Sequence, residues 1–225
     1  MVVVVQVMGE CAAVPTDPRQ LDLFERLAAE VYRRNGLDLS EPIAPLDLAR
    51  MDLGDQNVVW MNQTSGSEAL YLDLDTGPTI VFSKSVPISK LNPLAAHEHA
   101  HKILREFGLR DDEDTVKAFS GTLTAPRRVF ERVARATGGA LAHMAGILET
   151  NQTYVALREA ELYGIPRVVV TRNHHWALGE ARDWAPSREE LEALRKSSKL
   201  PGIRKSRITD IPGRFVLEPR RRSGR

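Results

Sequence analysis

The chain has almost no cysteine: Cys11 is the single one in 225 residues. This excludes an intramolecular disulfide framework and a Cys-rich zinc site, so any metal must be held by histidine and carboxylate. Charge of either sign is not in excess, the net being +1, and the 42% hydrophobic and 27% charged content is ordinary for a globular protein. The apolar stretch Val2-Val3-Val4-Val5-Gln6-Val7-Met8 has no basic flank and is too short to span a bilayer. It reads as a buried or edge strand, and the expected protein is soluble and cytoplasmic, with no membrane contact. No internal repeat is present.

The near-neutral total hides an asymmetry. Residues 195–225 hold 11 Lys+Arg against 2 Asp+Glu, which leaves 20 basic and 28 acidic residues in the rest of the chain. Such an end can touch nucleic acid or an acidic partner; its commoner reading is a solvated, partly disordered tail.

Periodicity divides the chain into four parts. Residues 1–16 are an N-terminal strand-like segment. Residues 17–137 form the core, which opens with a helix capped at Asp17-Pro18, carries Leu21, Phe24, Leu27, Ala28 and Val31 on one face, and ends at Gly36. A short helix from Pro45 to about Gly54 follows. Val58–Met61, Ala69–Leu72 and Thr79–Phe82 are strand-like runs separated by Thr64-Ser65-Gly66-Ser67 and Asp75-Thr76-Gly77-Pro78, which predicts a small antiparallel sheet. Asn92-Pro93 reads as the start of a helix that stops at Gly108. Helical runs follow through Val116, Phe119 and Leu123, and from Pro126 to Gly138-Gly139. Residues 138–185 read as two further helices, Leu141–Leu148 and Gln152–Tyr163, with a hairpin joining Val168–Val170 to Trp176–Leu178. Residues 186–225 are a short helix capped by Ser187 and the basic tail. The fold class is α+β and mostly helical, with a three-stranded antiparallel sheet packed on the helix at 92–108.

That helix carries His97-Glu98-His99-Ala100-His101, an H-E-x-x-H pattern. With 6 His in the chain, about 0.01 accidental matches are expected. Residues four apart on a helix lie about 40° apart, so His97 and His101 can point at one ion. Glu98, about 100° from His97, can reach a water on that ion without binding it. Two neutral nitrogens hold zinc, and the carboxylate takes a proton from the bound water. His99 lies about 200° from His97 and faces away, as a packed or solvent-facing histidine.

A catalytic zinc site usually has a third protein ligand. Glu106, Asp111, Asp112, Glu113, Asp114 and Glu131 are the candidates. Glu106 is the poorest, because it projects about 140° from His101 on the same helix. Carboxylates at 111–114 are also explained by a helix start, where the dipole favours negative charge. His143, His174 and His175 are candidate donors to an oxyanion, each more often structural.

Leu94-Ala95-Ala96-His97-Glu98-His99-Ala100-His101-Lys102-Ile103-Leu104 resembles the metal-helix core of the ImmA/IrrE family of metallopeptidases. Glu113, Phe119, Leu123 and Pro126 match that family's second motif in type and spacing, while Val116, Lys117 and Ser120 depart from it. The resemblance spans roughly residues 40 to 175 and implies Glu113 as third ligand, Zn²⁺ (or Mn²⁺) as cofactor and Glu98 as catalytic base. It further implies a bacterial or phage zinc endopeptidase whose partner is its protein substrate, a helix-turn-helix repressor of a prophage, mobile element or stress response.

Two alternatives stand beside it. A DNA-binding regulatory module would use the helix-turn-helix-like stretch Leu141–Tyr163, the hairpin and the basic tail, although Glu159 and Glu161 with only Arg158 suit a groove poorly. A toxin-like or non-cleaving member would bind its target without hydrolysing it.

Overall fold

The computed structural model describes residues 18–62, 67–163, 167–170, 175–178, 203–207 and 215–219. The N-terminal strand-like segment with Cys11, the Asp17 cap, most of the turn at 64–67 and the helix opened by Ser187 lie outside them.

Seven α-helices and a small sheet are formed by the described residues between 18 and 163. Helix α1 is Pro18–Arg34, and its buried residues Phe24, Leu27, Ala28, Val31 and Tyr32 follow the sequence period. Helix α2 is Pro45–Leu53, with proline in its first turn, where a missing N–H costs nothing. Strands β1 (Val58–Met61), β2 (Ala69–Leu74) and β3 (Gly77–Ser83) follow. Helix α3, Ile88–Glu106, carries the H-E-x-x-H residues. Then come α4 (Glu113–Thr124), α5 (Arg127–Thr137), α6 (Leu141–Ile147) and α7 (Gln152–Tyr163). The architecture is α+β and mostly helical. Among the described residues no helix is long and apolar enough to cross a membrane.

The sheet corrects the antiparallel expectation. Its order is β1-β3-β2, with β2 and β3 antiparallel but β1 parallel to β3. Burial explains this. Ile80, Val81, Phe82 and Ser83 are all buried, so β3 takes the centre, where both faces are covered. The β2–β3 hairpin turns on Asp75-Thr76, Leu74 pairing with Gly77 at φ 115°, so β2 occupies one side and β1 is left the other.

Helix α3 also begins earlier than Asn92-Pro93 suggests. Asn92 is not a cap: its Oδ1 accepts the Leu46 backbone N–H at 3.1 Å and ties α2 to α3. Pro93 is carried inside the helix. The end agrees with the sequence, since Gly108 at φ 65° lets Leu109 N–H return to the Leu104 carbonyl at 2.8 Å.

Two apolar clusters meet on α3. Ala100, Ile103 and Leu104 join the helical core with Phe24, Val31, Phe119 and Phe130. Ala95 faces the other way, into the cluster of Leu53, Val58, Ile80 and Phe82 beneath the sheet. Helix α4 packs along α3 and opens at the Asp112 N-cap, whose Oδ1 accepts the Thr115 N–H at 3.1 Å. Asp112→Ala should therefore lower the midpoint of a urea titration. An unchanged midpoint would remove the cap from the account.

Helix α7 is an interior helix: within it only Tyr163 is exposed. Arg158, 3% exposed, donates to the Ala125 carbonyl at 2.9 Å and is paired with Glu25 and Glu161. The one cation of the helix is thus spent inside the protein.

A second sheet holds β4 (Arg167–Val170), β5 (His175–Leu178), β6 (Ile203–Arg207) and β7 (Phe215–Pro219) in the order β5-β4-β7-β6. The β4–β5 pair is the hairpin expected from sequence. The two later strands depart from expectation, for they run through the segment read as a solvated tail, β6 pairing with β7 and β7 pairing with β4.

Candidate metal centre

The helical spacing of α3 puts the His97 and His101 rings edge to face, with centroids 5.1 Å apart. Glu113, the first residue of α4, comes up against both. Its Oε2 lies 3.5 Å from His97 Nε2, and its Oε1 lies 3.6 Å from His101 Nε2. One donor atom from each of the three residues falls within 4.8 Å of the others, so this group can hold a metal ion. The histidine side chains are 19% and 15% exposed, and that of Glu113 is 64% exposed, so the site opens to solvent on the α4 side. Lys117 Nζ lies 3.8 Å from Glu113 Oε2, one turn along α4. Burial, outweighing the attraction of Glu113, lowers the pKa of His97 and keeps its imidazole in the neutral form that binds metals.

Glu98 is buried and lies outside the ligand group. Burial pushes its pKa up to about 7, against the hydrogen bond its carboxyl accepts from the Tyr71 backbone N–H on β2. A carboxyl so poised gains and loses a proton near neutrality and can serve as acid or base beside a bound ion.

The other acidic candidates are engaged elsewhere. Glu106 binds Arg34 and Lys102, both at 2.6 Å. Asp112 caps α4, Asp111 is held by Arg105, and Asp114 is exposed. Glu131 lies on α5, outside the group. His143 is exposed on α6. His174 and the side chain of His175 lie outside what is described, so neither is placed as an oxyanion donor.

His99 is wholly buried on the opposite face of α3, and there the structure shows a network that the sequence did not signal. His99 Nε2 lies 2.9 Å from Asp52 Oδ2. Asp52 also takes Arg34 at 2.5 Å through both oxygens, Asn35 at 3.0 Å and Lys102 at 2.9 Å. Burial alone would raise the Asp52 pKa, but the hydrogen bonds of His99, Arg34 and Asn35 more than reverse it, and the carboxylate stays ionised. Burial lowers the His99 pKa despite Asp52. The arrangement is a neutral imidazole donating Nε2–H to a carboxylate whose charge is balanced by Arg34 and Lys102. Only the period of α3 hinted that residue 99 turns inward; nothing in the sequence pointed to a partner 47 residues earlier.

No protein-family profile matches the chain, and no curated protein matches it. Among solved structures it is similar to a "Mycobacterium tuberculosis transcriptional regulator", with a TM-score of 0.55 and 13% sequence identity over 87% of this chain and 74% of that one. At this identity the likeness is one of fold. The expected function, a zinc endopeptidase that hydrolyses a helix-turn-helix repressor, is not backed by this comparison: the solved structure similar to the chain is described as a transcriptional regulator, not a peptidase.

Proposed function

We propose that this chain is a transcriptional regulator that carries a divalent-metal site between α3 and α4. The observation that supports the regulatory part is the fold it shares with the mycobacterial regulator. The metal part is supported by the convergence of His97, His101 and Glu113. Two imidazoles and a carboxylate with open positions suit Zn²⁺ first, and Mn²⁺ as an alternative. An ion held there would supply a Lewis-acid centre. His97 and His101 would fix it to the central helix, Glu113 would add charge from α4, and Glu98 would hold or release a proton next to it. We place the protein in the cytoplasm.

Nucleic acid is the partner this reading requires, and the basic 195–225 segment is the part suited to it. Strand β6 ends the second sheet and carries Arg204, Lys205 and Arg207. The helix-turn-helix-like stretch is less suited, because α7 is buried and Arg158 is committed to Glu25 and Glu161. The test is a mobility-shift titration with duplex DNA from the chain's own upstream region, across a salt series. Phosphate neutralisation makes binding weaken as salt rises, and replacing Arg204, Lys205 and Arg207 by glutamine should lower the log–log slope by about 0.9 for each phosphate no longer neutralised. Binding that is undetectable at low salt, or a slope unchanged by the triple substitution, overturns the proposal.

A further inference from the structure

His101 has two ring nitrogens, and the candidate metal centre uses only one. Nε2 faces Glu113 at 3.6 Å. Nδ1 is buried and has no hydrogen-bond partner among the described residues. A ligand imidazole binds through the nitrogen that carries no proton, so with Nε2 turned to the metal the proton sits on Nδ1 and needs an acceptor. The group in front of Nδ1 is a second carboxylate, Asp111 Oδ2, at 3.7 Å. That distance is beyond a hydrogen bond but within one small side-chain adjustment of it.

Asp111 is itself held. Arg105, one turn beyond His101 on α3, donates its Nε–H to Asp111 Oδ2, and its guanidinium lies over the Tyr71 ring at 5.1 Å. The carboxylate is therefore fixed between the end of α3 and the β2 strand whose Tyr71 N–H also holds Glu98. It stands two residues before Glu113, in the short link between the two metal-bearing helices. By residue type and position Asp111 is a candidate ligand. The structure places it on the other side of the imidazole, outside the ligand group.

We infer that Asp111, anchored by Arg105, is a positioning residue that accepts the Nδ1–H of His101 and so keeps Nε2 free and aimed at the metal. This rests on the metal site proposed above. Partners of this kind fix the tautomer and raise the basicity of the ligand, and losing one typically weakens metal affinity by about 10- to 100-fold.

The experiment measures two quantities on the full chain and on Asp111→Ala and Asp111→Asn. The first is Zn²⁺ affinity, by competition with a chromophoric chelator. The second is the tautomer of His101 in the metal-free protein, by long-range proton–nitrogen NMR of the ring. The wild type should bind one Zn²⁺ and show Nδ1–H. Asp111→Ala should bind about 10- to 100-fold more weakly and shift the tautomer population toward Nε2–H. Asp111→Asn retains an oxygen acceptor and should recover part of both. Wild-type affinity and tautomer in Asp111→Ala overturn the inference. So does Asp111→Asn as poor as Asp111→Ala, since charge alone would then be responsible. If the wild type binds no Zn²⁺, the metal-site reading fails, while the metal-free tautomer still decides whether Asp111 orients the ring.

Discussion

His97→Ala and His101→Ala should each abolish stoichiometric metal binding. Either change removes one of two nitrogen donors from a group of three. Loss of an outer partner of a ligand already costs about 10- to 100-fold, so loss of a ligand should exceed about 100-fold. Both side chains are partly exposed and sit mid-helix, where alanine is the best helix former. The variants should keep the wild-type circular dichroism, so a loss of binding cannot be put down to unfolding. Calorimetric titration with Zn²⁺ gives the stoichiometry, and thermal unfolding gives a second reading. An ion present at 100 times its Kd stabilises the native state by about 2.7 kcal/mol, and the alanine variants should lose that increment. Glu98→Gln is the control. Its carboxyl is turned to the Tyr71 N–H and lies outside the ligand group, so it should bind the ion with unchanged stoichiometry. Full binding in His97→Ala would show that the three residues are not a metal centre.

Asp52→Ala should cost about 3–5 kcal/mol, a large share of a stability that is typically about 5–15 kcal/mol. The Asp52 side chain is 3% exposed and receives His99, Arg34, Asn35 and Lys102 together. Its removal leaves a buried Nε2–H on His99 without an acceptor, and leaves Arg34 and Lys102 only the partly exposed Glu106. Asp52→Asn keeps the shape and one acceptor and should fall between the two. Urea unfolding measures both, and a cost below about 1 kcal/mol for alanine would mean that the network is decorative.

The same network sets a pH response. The folded-state pKa of His99 is depressed below its free value of 6.5, so the unfolded chain binds that proton more readily, and stability falls as pH drops below 6.5 toward the folded value. Asp52 is also depressed, below 3.8, so its contribution persists above that pH and is lost only in stronger acid. Denaturation profiles should therefore show a first decline beginning near neutrality that His99→Gln flattens, and a second at acid pH. A profile that His99→Gln leaves unaltered excludes His99 as its source.

Helix positions were legible because one-sided burial leaves a 3.6-residue trace, as in Phe24, Leu27, Ala28 and Val31. The strands were legible as short runs, but their partners were not. Pairing direction depends on which strand takes the centre, and the burial that puts Ile80 and Phe82 there is a property of the assembled sheet. Asn92-Pro93 looked like a helix start because those residue types favour one; Asn92 was instead drawn into a tertiary hydrogen bond with Leu46. The His97, His101 and Glu113 grouping was readable because two of its members lie on one helix and the third matched a known spacing. Asp52 was not, since its charge is organised by partners from α1 and α3 that local sequence cannot bring together.

The three candidate ligands do not share one mechanical fate. His97 and His101 are seated in a helix that belongs to both apolar clusters, and moving them means disturbing the interior. Glu113 is the first residue of α4, largely exposed, and secured there by the single cap at Asp112. Helix ends fray far more readily than cores open. An ion held at this site would therefore exchange by unwinding one turn of α4, and the rate of its release would be set by Asp112 and Thr115 rather than by the stability of the whole fold.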